Sequence, residues 1–266
     1  MCTQDFITEL FCRVDDIMRN VRKHSQASLY PSELVTLAML FAIKGVGNRA
    51  FYRWIWSNYL PLFPALPDRT RLFRLFATHK EWAQRFLADP TVLGIADSYG
   101  IELAQPIREG RSPAQIGRYG KSNKRWIMGA KLCLVVNQWG LCVGWDCASA
   151  NVKDNFFRPL IERFQEQMVV LTDTGFHTKG AKGGDPSNMK VCERATWNGR
   201  MLIERVFAML TTVCHAKHMA HRRWAYLRAT LAYMLAAFNL LVQWNGLQPV
   251  PDEAGLVHLS IAQFSL

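Results

Sequence analysis

The sequence predicts an α/β protein, in which a mixed β-sheet flanked by helices follows an N-terminal all-helical region. Three observations predict this fold. Apolar residues recur at helical spacing up to about residue 88. Beyond Pro90, two short apolar runs each end in an acid, and two further apolar runs flank a turn. Two long helical patterns then complete the order of strand, hairpin, helix, strand, helix and helix, which is typical of a sheet covered by helices.

The helical elements come from spacing and from helix-start and helix-stop residues. Phe6, Leu10 and Val14 lie on one helical face, and Pro31-Ser32-Glu33 resembles a helix start. Prolines between 61 and 67 interrupt the pattern before another helix over 71–87. The later helices are expected over 154–167, with Asp154 as its cap, and over 198–214 and 222–244.

The strands are expected where apolar runs are bounded by turn residues. The two acid-terminated runs are 92–97 and 168–173, and the hairpin joins 126–136 to 141–147 through Asn137-Gln138-Trp139-Gly140. The glycine-rich segment 175–188 is expected to be a loop, in which Asp185 would be a turn residue.

Composition indicates an anionic partner. The 266 residues carry 32 Lys and Arg against 21 Asp and Glu, a net charge of +11, which favours nucleic acid or an anionic membrane surface. The most apolar stretch, 225–244, contains Arg228, Asn239 and Gln243 and is therefore expected to be a buried helix rather than a membrane span. Seven cysteines without a CxxC pair and a start without signal-peptide character indicate a reduced, cytoplasmic protein.

Two aspartates and one glutamate are the candidate site residues. Asp97 and Asp173 each end an apolar strand, where α/β sheets usually bind ligands, and a pair of neighbouring carboxylates suits a hard divalent cation. The alternative is that each Asp only caps the following turn. Glu204 lies beside the apolar stripe of a helix, at the edge of the core, and its alternative role is a surface pair with Arg200.

Basic residues accompany these acids. A strip between the first strand and the hairpin could neutralise phosphates, or could be a solvated loop; it consists of Arg108, Arg111, Arg118, Lys121, Lys124, Arg125 and Lys131. Cys214, His215, His218 and His221 have a spacing that suggests zinc. Their neighbours Lys217, Arg222 and Arg223 would repel a cation, so the prediction is a helix end near phosphates or packed against the core.

Four segments together resemble bacterial insertion-sequence transposases with a DDE domain. They are IADSYGIEL (95–103), GAKLCLVVNQWGLCVGWDCASANVKD (129–154), VVLTDTGF (169–176) and NGRMLIERVFAML (198–210), in the order that the family has. The resemblance covers roughly 90–245 and extends more weakly to the N-terminal helices. It implies an RNase H-like catalytic domain over 89–250, a DNA-binding helical region over 1–88 and a C-terminal tail over 251–266.

The resemblance also implies the site and the reaction. Asp97, Asp173 and Glu204 match the family's acidic triad, which holds Mg²⁺ or Mn²⁺, two ions per site, and Arg200 matches an arginine four positions before the glutamate. One branch of the family has a tyrosine and a lysine where Trp197 and Thr211 stand here, which removes a lysine contact to the transposon end.

The function that these matches imply is cleavage at transposon ends and joining of the freed 3′-OH to target DNA. The expected partners are the terminal inverted repeats, target DNA and a second copy of the chain on DNA, in the bacterial cytoplasm. Two alternatives remain: an RNase H-like nuclease that cuts without joining, and a transposase-derived DNA-binding protein without catalysis.

Overall fold

The computed structural model describes residues 2–122, 125–177, 184–192, 199–249 and 257–266, and every structural statement below concerns these residues. The helices are α1 (Thr3–Met18), α2 (Pro31–Lys44), α3 (Asn48–Asn58), α4 (Arg69–Thr78), α5 (Arg158–Glu162), α6 (Gly199–Thr212) and α7 (Trp224–Asn245). The strands are β1 (Leu93–Ala104), β2 (Arg118–Ser122), β3 (Arg125–Asn137), β4 (Cys142–Ser149), β5 (Val169–Thr172), β6 (Met189–Val191), β7 (Gln248–Pro249) and β8 (Val257–His258).

The N-terminal region is helical, as its periodicity predicts. Helix α2 begins at Pro31, and the Glu33 carboxylate accepts a hydrogen bond from the Tyr30 backbone N–H at 2.6 Å. It ends at Gly45, whose φ of 61° lies in the left-handed region that favours glycine. The helix expected over 71–87 is instead divided into α4 and a separate 3₁₀ segment, Lys80–Phe86.

One continuous core joins this helical region to the sheet. Helix α1 packs against α2, α2 packs against α7, and α4 contacts both α2 and α7. Buried residues such as Leu37 and Leu235 belong to the same apolar cluster as Ile101 and Leu132 of the sheet. The boundary expected near residue 88 therefore does not separate two cores in the described part of the chain.

Helix α7 is the central helix of this core. It is long and apolar enough to cross a membrane, by length and composition, yet 78% of its most apolar window is buried inside the protein. Asn239, fully buried within it, donates to the backbone oxygens of Phe86 and Cys142 and accepts from the Cys142 N–H. The expectation of a buried core helix is confirmed by this packing.

The main sheet is mixed and has six strands. Strands β2 and β4 pair with successive parts of one edge of β3, and the other edge of β3 pairs antiparallel with β1. Strands β5 and β6 continue the sheet beyond β1, and both pairings are parallel. Helices α6 and α7 cover one face, while Leu160 and Ile161 of α5 belong to the apolar cluster on the other face. The α/β class with a mixed sheet flanked by helices is confirmed.

Several strand boundaries differ from those expected. Strand β1 does not end at Asp97, because its pairing with β3 continues from Gly94 to Ala104. Strand β2 lies in the basic segment between the first strand and the hairpin, where the sequence predicted no strand. The hairpin is confirmed, and Asn137 shapes its turn, since its carboxamide oxygen accepts hydrogen bonds from the Trp139 and Leu141 backbone N–H groups.

The elements near the C-terminal half are shorter than their patterns predict. Only Arg158–Glu162 is α-helical in the segment 154–167. The glycine-rich loop begins with a 3₁₀ turn at Thr174–Phe176, and its residues 178–183 lie outside the described part. Trp197, Asn198 and residues 250–256 of the expected tail boundary also lie outside it.

Candidate active site

Asp97 and Asp173 follow the last residue pair of the parallel ladder between β1 and β5. That pair is Ala96 with Thr172, so each aspartate is the next residue along its own chain segment. Side chains alternate between the two faces of a sheet, and residues in register in a parallel pair share a face. The register therefore directs both carboxylates to one face of the sheet, at neighbouring positions.

Each of these carboxylates also organises the residue that follows it. The Asp97 Oδ1 accepts a hydrogen bond from the Ser98 N–H at 2.7 Å. The Asp173 Oδ1 accepts from the Thr174 N–H at 2.6 Å and from the Thr174 hydroxyl at 3.1 Å, as the N-cap of a 3₁₀ turn. The turn-capping role that the sequence left open for Asp173 is thus present, beside its position at the strand end.

Tyr99 connects β1 to α6, which carries Glu204. Its ring stacks on Phe207 with centroids 5.0 Å apart, and its hydroxyl lies 2.6 Å from the Thr211 hydroxyl. Tyr99 is two residues beyond Asp97 on the same strand and hence on the same face. Glu204 precedes Phe207 by three residues and lies on the neighbouring part of the same helix face.

Helix α6 packs against β1. Beyond α6, the Lys217 carbonyl accepts a hydrogen bond from the Glu102 N–H at 2.9 Å, so later residues of this segment lie farther along β1. Because Glu204 lies one turn before Phe207, this direction predicts that Glu204 lies towards Asp97. Glu204 and Asp173 are exposed, and Asp97 is half-buried.

Metal coordination by these acids remains a prediction. In the described part of the chain, no three His, Cys, Asp or Glu side chains form a group that could hold a metal ion. The negative charge of one of these acids, Asp97, acts on the buried Cys133 thiol. Burial, followed by the negative charges of Asp97, Asp154 and Asp146, raises the pKa of the Cys133 thiol well above its ordinary value.

The expectation that Asp154 caps a helix is wrong. The residue at the cap of the 3₁₀ turn is Lys153, and it makes no side-chain cap hydrogen bond. The Asp154 carboxylate instead accepts from the Ser98 hydroxyl at 2.6 Å and from the Lys131 ammonium at 3.0 Å. Both partners are distant in sequence, at separations of 56 and 23 residues, so no local pattern could predict these contacts.

The Asp154 carboxylate also lies against the turn that follows β5. A Cβ added to Gly175 would come within 3.1 Å of its Oδ2, so glycine allows this close approach. Asp154 thereby contacts the residue after Asp97 and a residue two positions after Asp173. It joins β1, β3 and the turn after β5 into one polar cluster.

Asp185 is likewise more than the turn residue that was expected. Its carboxylate pairs with the Arg158 guanidinium and lies 2.5 Å from His177 Nδ1. Arg158 also donates to the Phe176 carbonyl at 2.9 Å, and the other His177 nitrogen lies 2.9 Å from the Thr172 hydroxyl. These contacts fasten both ends of the loop that follows Asp173.

The predicted basic strip is exposed at five positions and departs from the expectation at one. Arg108, Arg111, Arg118, Lys121 and Arg125 are exposed. Lys131 is only 8% exposed and points towards Asp154, so it does not share the solvated surface of the others. Lys124 lies outside the described residues.

Two exposed aromatic rings lie within this strip. Tyr119 and Trp126 stack with centroids 5.0 Å apart and nearly parallel planes, on the paired strands β2 and β3. Aromatic rings among cations are a common platform for nucleic-acid bases. Composition alone gave no signal for this pair, because it depends on the pairing of β2 with β3.

The other predicted DNA-binding residues lie apart from one another in the structure. Arg200 lies in α6, with its side chain outside the described part. The Lys217 ammonium lies 4.9 Å from the centre of the Tyr99 ring, beside α6. Arg222 and Arg223 are exposed just before α7.

The histidines after α6 differ from one another in environment. His218 lies 3.1 Å from the Glu102 carboxylate, whereas burial lowers the pKa of His221 to about 4. His215 has a φ of 53° beside Gly45. The three histidines thus have separate surroundings: a carboxylate partner, a largely buried position and a left-handed turn beside Gly45.

In comparisons with known proteins, no protein-family model and no curated protein matches the chain.

Proposed function

We propose that the protein is a DNA transposase that cleaves transposon ends and joins the freed 3′-OH to target DNA, using a metal-dependent acidic site. The observation that carries the proposal is the register of Ala96 with Thr172, which makes Asp97 and Asp173 neighbours at the end of the parallel ladder. Glu204 on the α6 face that continues from Phe207 and Tyr99 supplies the third acid.

The strand arrangement supports an RNase H-like fold as part of this proposal. Three antiparallel strands, in the order β4-β3-β1, are followed by the parallel strands β5 and β6. In this arrangement β1 is central, and Asp97, which follows the end of its parallel pairing, would lie on the face that carries Tyr99 and α6. The two long helices α6 and α7 cover that side of the sheet.

The residues present fit a hard divalent cation. Carboxylate oxygens are the ligands that Mg²⁺ and Mn²⁺ prefer, and two of the predicted acids follow neighbouring strand positions. Asp97, Asp173 and Glu204 would hold the ions. Two such ions would activate the attacking oxygen and stabilise the leaving oxygen of a phosphodiester.

The chain's own residues would bind and position DNA. Exposed cations of the strip, such as Arg118 and Lys121, would contact phosphates. In the first step, water attacks a phosphodiester and its P–O3′ bond breaks, which leaves a 3′-OH. In the second step, that 3′-OH attacks a target phosphodiester, forming one P–O bond as another breaks. Neither step needs a protein nucleophile.

The test measures cleavage and binding on one preparation of Asp173→Asn. The substrate is a plasmid carrying the DNA that flanks the gene, including any matching inverted repeats, in Mg²⁺. We expect cleavage to fall to background while gel-shift affinity is kept, because the substitution removes a metal ligand's charge and leaves the basic residues in place. Asp15→Asn, an exposed aspartate on α1, is the matched control and should retain cleavage.

Three outcomes distinguish the alternatives. Full cleavage by Asp173→Asn would return Asp173 to its turn-capping role and contradict the proposal. Cleavage by the unmodified protein without any joined product would indicate a nuclease. Specific binding to repeat ends without cleavage would indicate a DNA-binding protein derived from a transposase.

A further inference from the structure

A cavity of about 530 Å³ lies beside the end of β1, between the segment that follows β1 and the segment that leads into α7. It is separate from the acidic cluster around Asp97, Asp154 and Asp173, none of which lines it. Among the residues that line it are Leu103, Arg108, Arg111, Gln115, Ile116 and Arg222. Its volume lies within the range of small-molecule and cofactor sites.

The positive charge of the residues that line this cavity favours an anionic ligand. Arg108 and Arg111 come from the first half of the chain and Arg222 from the second, so the fold brings together two basic segments that the sequence keeps apart. No Asp or Glu is among the lining residues. Guanidinium groups bind phosphate through paired, charge-assisted hydrogen bonds.

The rest of the lining favours a flat, largely apolar group that carries N–H donors. Ile116 keeps an exposed fraction of 8% and Leu103 is half-buried, so both provide apolar surface to the cavity. The Gln115 Oε1 is a buried acceptor that has no hydrogen-bond partner in the described part of the chain, although its Nε2 contacts the Met128 sulfur at 3.2 Å. A buried acceptor without a partner is unfavourable, so a ligand that donates to it would bind more tightly.

We propose that this cavity binds a nucleotide, with its phosphate at Arg108, Arg111 and Arg222 and its base against Leu103 and Ile116. An amino group of the base donates to Gln115. Two sources supply this chemistry: an unpaired nucleotide within a DNA strand, and a free nucleotide. The first source rests on the proposed function, whereas the second does not.

The first experiment measures ligand binding to the full chain by calorimetry. The probes are dAMP, deoxyadenosine and inorganic phosphate, which separate the base from the phosphate. Because dAMP satisfies both halves of the cavity, we expect it to bind at least about tenfold more tightly than either part. Equal affinity for dAMP and inorganic phosphate would overturn the proposal, since it would show a surface anion site without base recognition.

Variants then locate the binding. Arg111→Gln and Arg222→Gln should each weaken dAMP binding by about tenfold, the effect of losing a charge-assisted contact. Arg22→Gln and Arg163→Gln remove exposed cations outside both the cavity and the basic strip and should leave the affinity unchanged. Gln115→Leu should weaken binding of dAMP but not of phosphate. Equal losses in the cavity variants and the controls would contradict the proposal, and thermal melting checks that all five proteins are folded.

Two duplexes that differ by one unpaired deoxyadenosine distinguish the sources. Tighter binding of the duplex with the unpaired nucleotide, lost in Arg111→Gln, would identify DNA as the source. Binding of dAMP without any preference between the duplexes would identify a free nucleotide. Binding of dAMP by a protein that never cleaves DNA would refute the proposed function alone, whereas cleavage without dAMP binding would refute this inference alone.

Discussion

The Lys131 ammonium lies 3.0 Å from the Asp154 carboxylate, and this pair joins the middle of β3 to the turn before α5. The same carboxylate oxygen accepts from the Ser98 hydroxyl. Lys131 is buried and Asp154 is partly shielded, so the pair is less screened by solvent than a surface salt bridge. The pair orders the polar cluster next to Asp97 and Asp173.

Removing the cation of this pair should destabilise the protein. We expect Lys131→Met to lower the free energy of unfolding by about 2–3 kcal/mol, because it leaves a half-buried carboxylate without its cation. Urea denaturation measures this change, and Lys121→Met, at an exposed lysine, should change stability by less than about 0.5 kcal/mol. Combining Lys131→Met with Asp154→Asn should cost less than the sum of the single changes. Additive losses would show that the two residues are not coupled.

Asn239 should be one of the most sensitive positions in α7. Its side chain satisfies the backbone N–H and C=O of Cys142 and the C=O of Phe86, at 2.8–2.9 Å. We expect Asn239→Ala to cost about 2–4 kcal/mol, since it removes side-chain volume and leaves buried backbone groups unpaired. Asn58→Ala, which removes one exposed hydrogen bond, is the control in the same thermal or urea unfolding assay. A loss no larger than that of the control would contradict the bridging role of Asn239.

His221 should make the protein less stable in acid. Burial lowers its folded-state pKa from 6.5 to about 4, so between these values the unfolded chain binds a proton that the folded protein does not. Above pH 6.5 both states are neutral and the effect vanishes; as the pH falls towards 4, unfolding is favoured by up to about 3 kcal/mol. Unfolding free energies of the parent and His221→Leu, measured from pH 7 to pH 4, should diverge over this window. Parallel curves would show that His221 titrates normally.

The thiols should divide into two reactivity groups. Cys133, Cys142, Cys147 and Cys214 are buried, and burial raises the pKa of Cys142, Cys147 and Cys214 to about 12. Cys2 and Cys12 are exposed and Cys192 is half-buried. We expect iodoacetamide at pH 8 to label these three in the native protein and all seven after unfolding, because the thiolate is the reactive form. Mass spectrometry of the peptides identifies the labelled sites, and rapid native labelling of Cys142 would contradict the buried core.

DNA binding should depend on the exposed part of the basic strip. Replacing Arg118, Lys121 and Arg125 with Gln should weaken binding and make the slope of log affinity against log salt shallower by about 2–3, since about one counterion is released per phosphate contact. The control replaces three exposed cations outside the strip, and these are Arg22, Arg85 and Arg163. Fluorescence anisotropy across a salt series measures both slopes. An unchanged slope in the strip variant would assign its residues to a solvated surface.

The sequence by itself determined the elements whose signals are local. The strand that ends before Asp173, the hairpin turn at Asn137 and the helix start at Pro31 each depend on residues within a few positions of one another. The apolar pattern of 225–244 with its internal Asn239 likewise predicted a buried helix, and that asparagine binds backbone groups of the core.

Only the tertiary structure decided which distant residues meet. The continuation of β1 beyond Asp97 depends on its pairing with β3, and the Lys131–Asp154 pair spans 23 residues. The cavity likewise joins Arg108 to Arg222, far along the chain. Strand register and helix direction set these contacts, and both are fixed by packing of the whole core rather than by any local pattern. For the same reason, the sequence could name Asp97 and Asp173, while their adjacency follows from the register of Ala96 with Thr172.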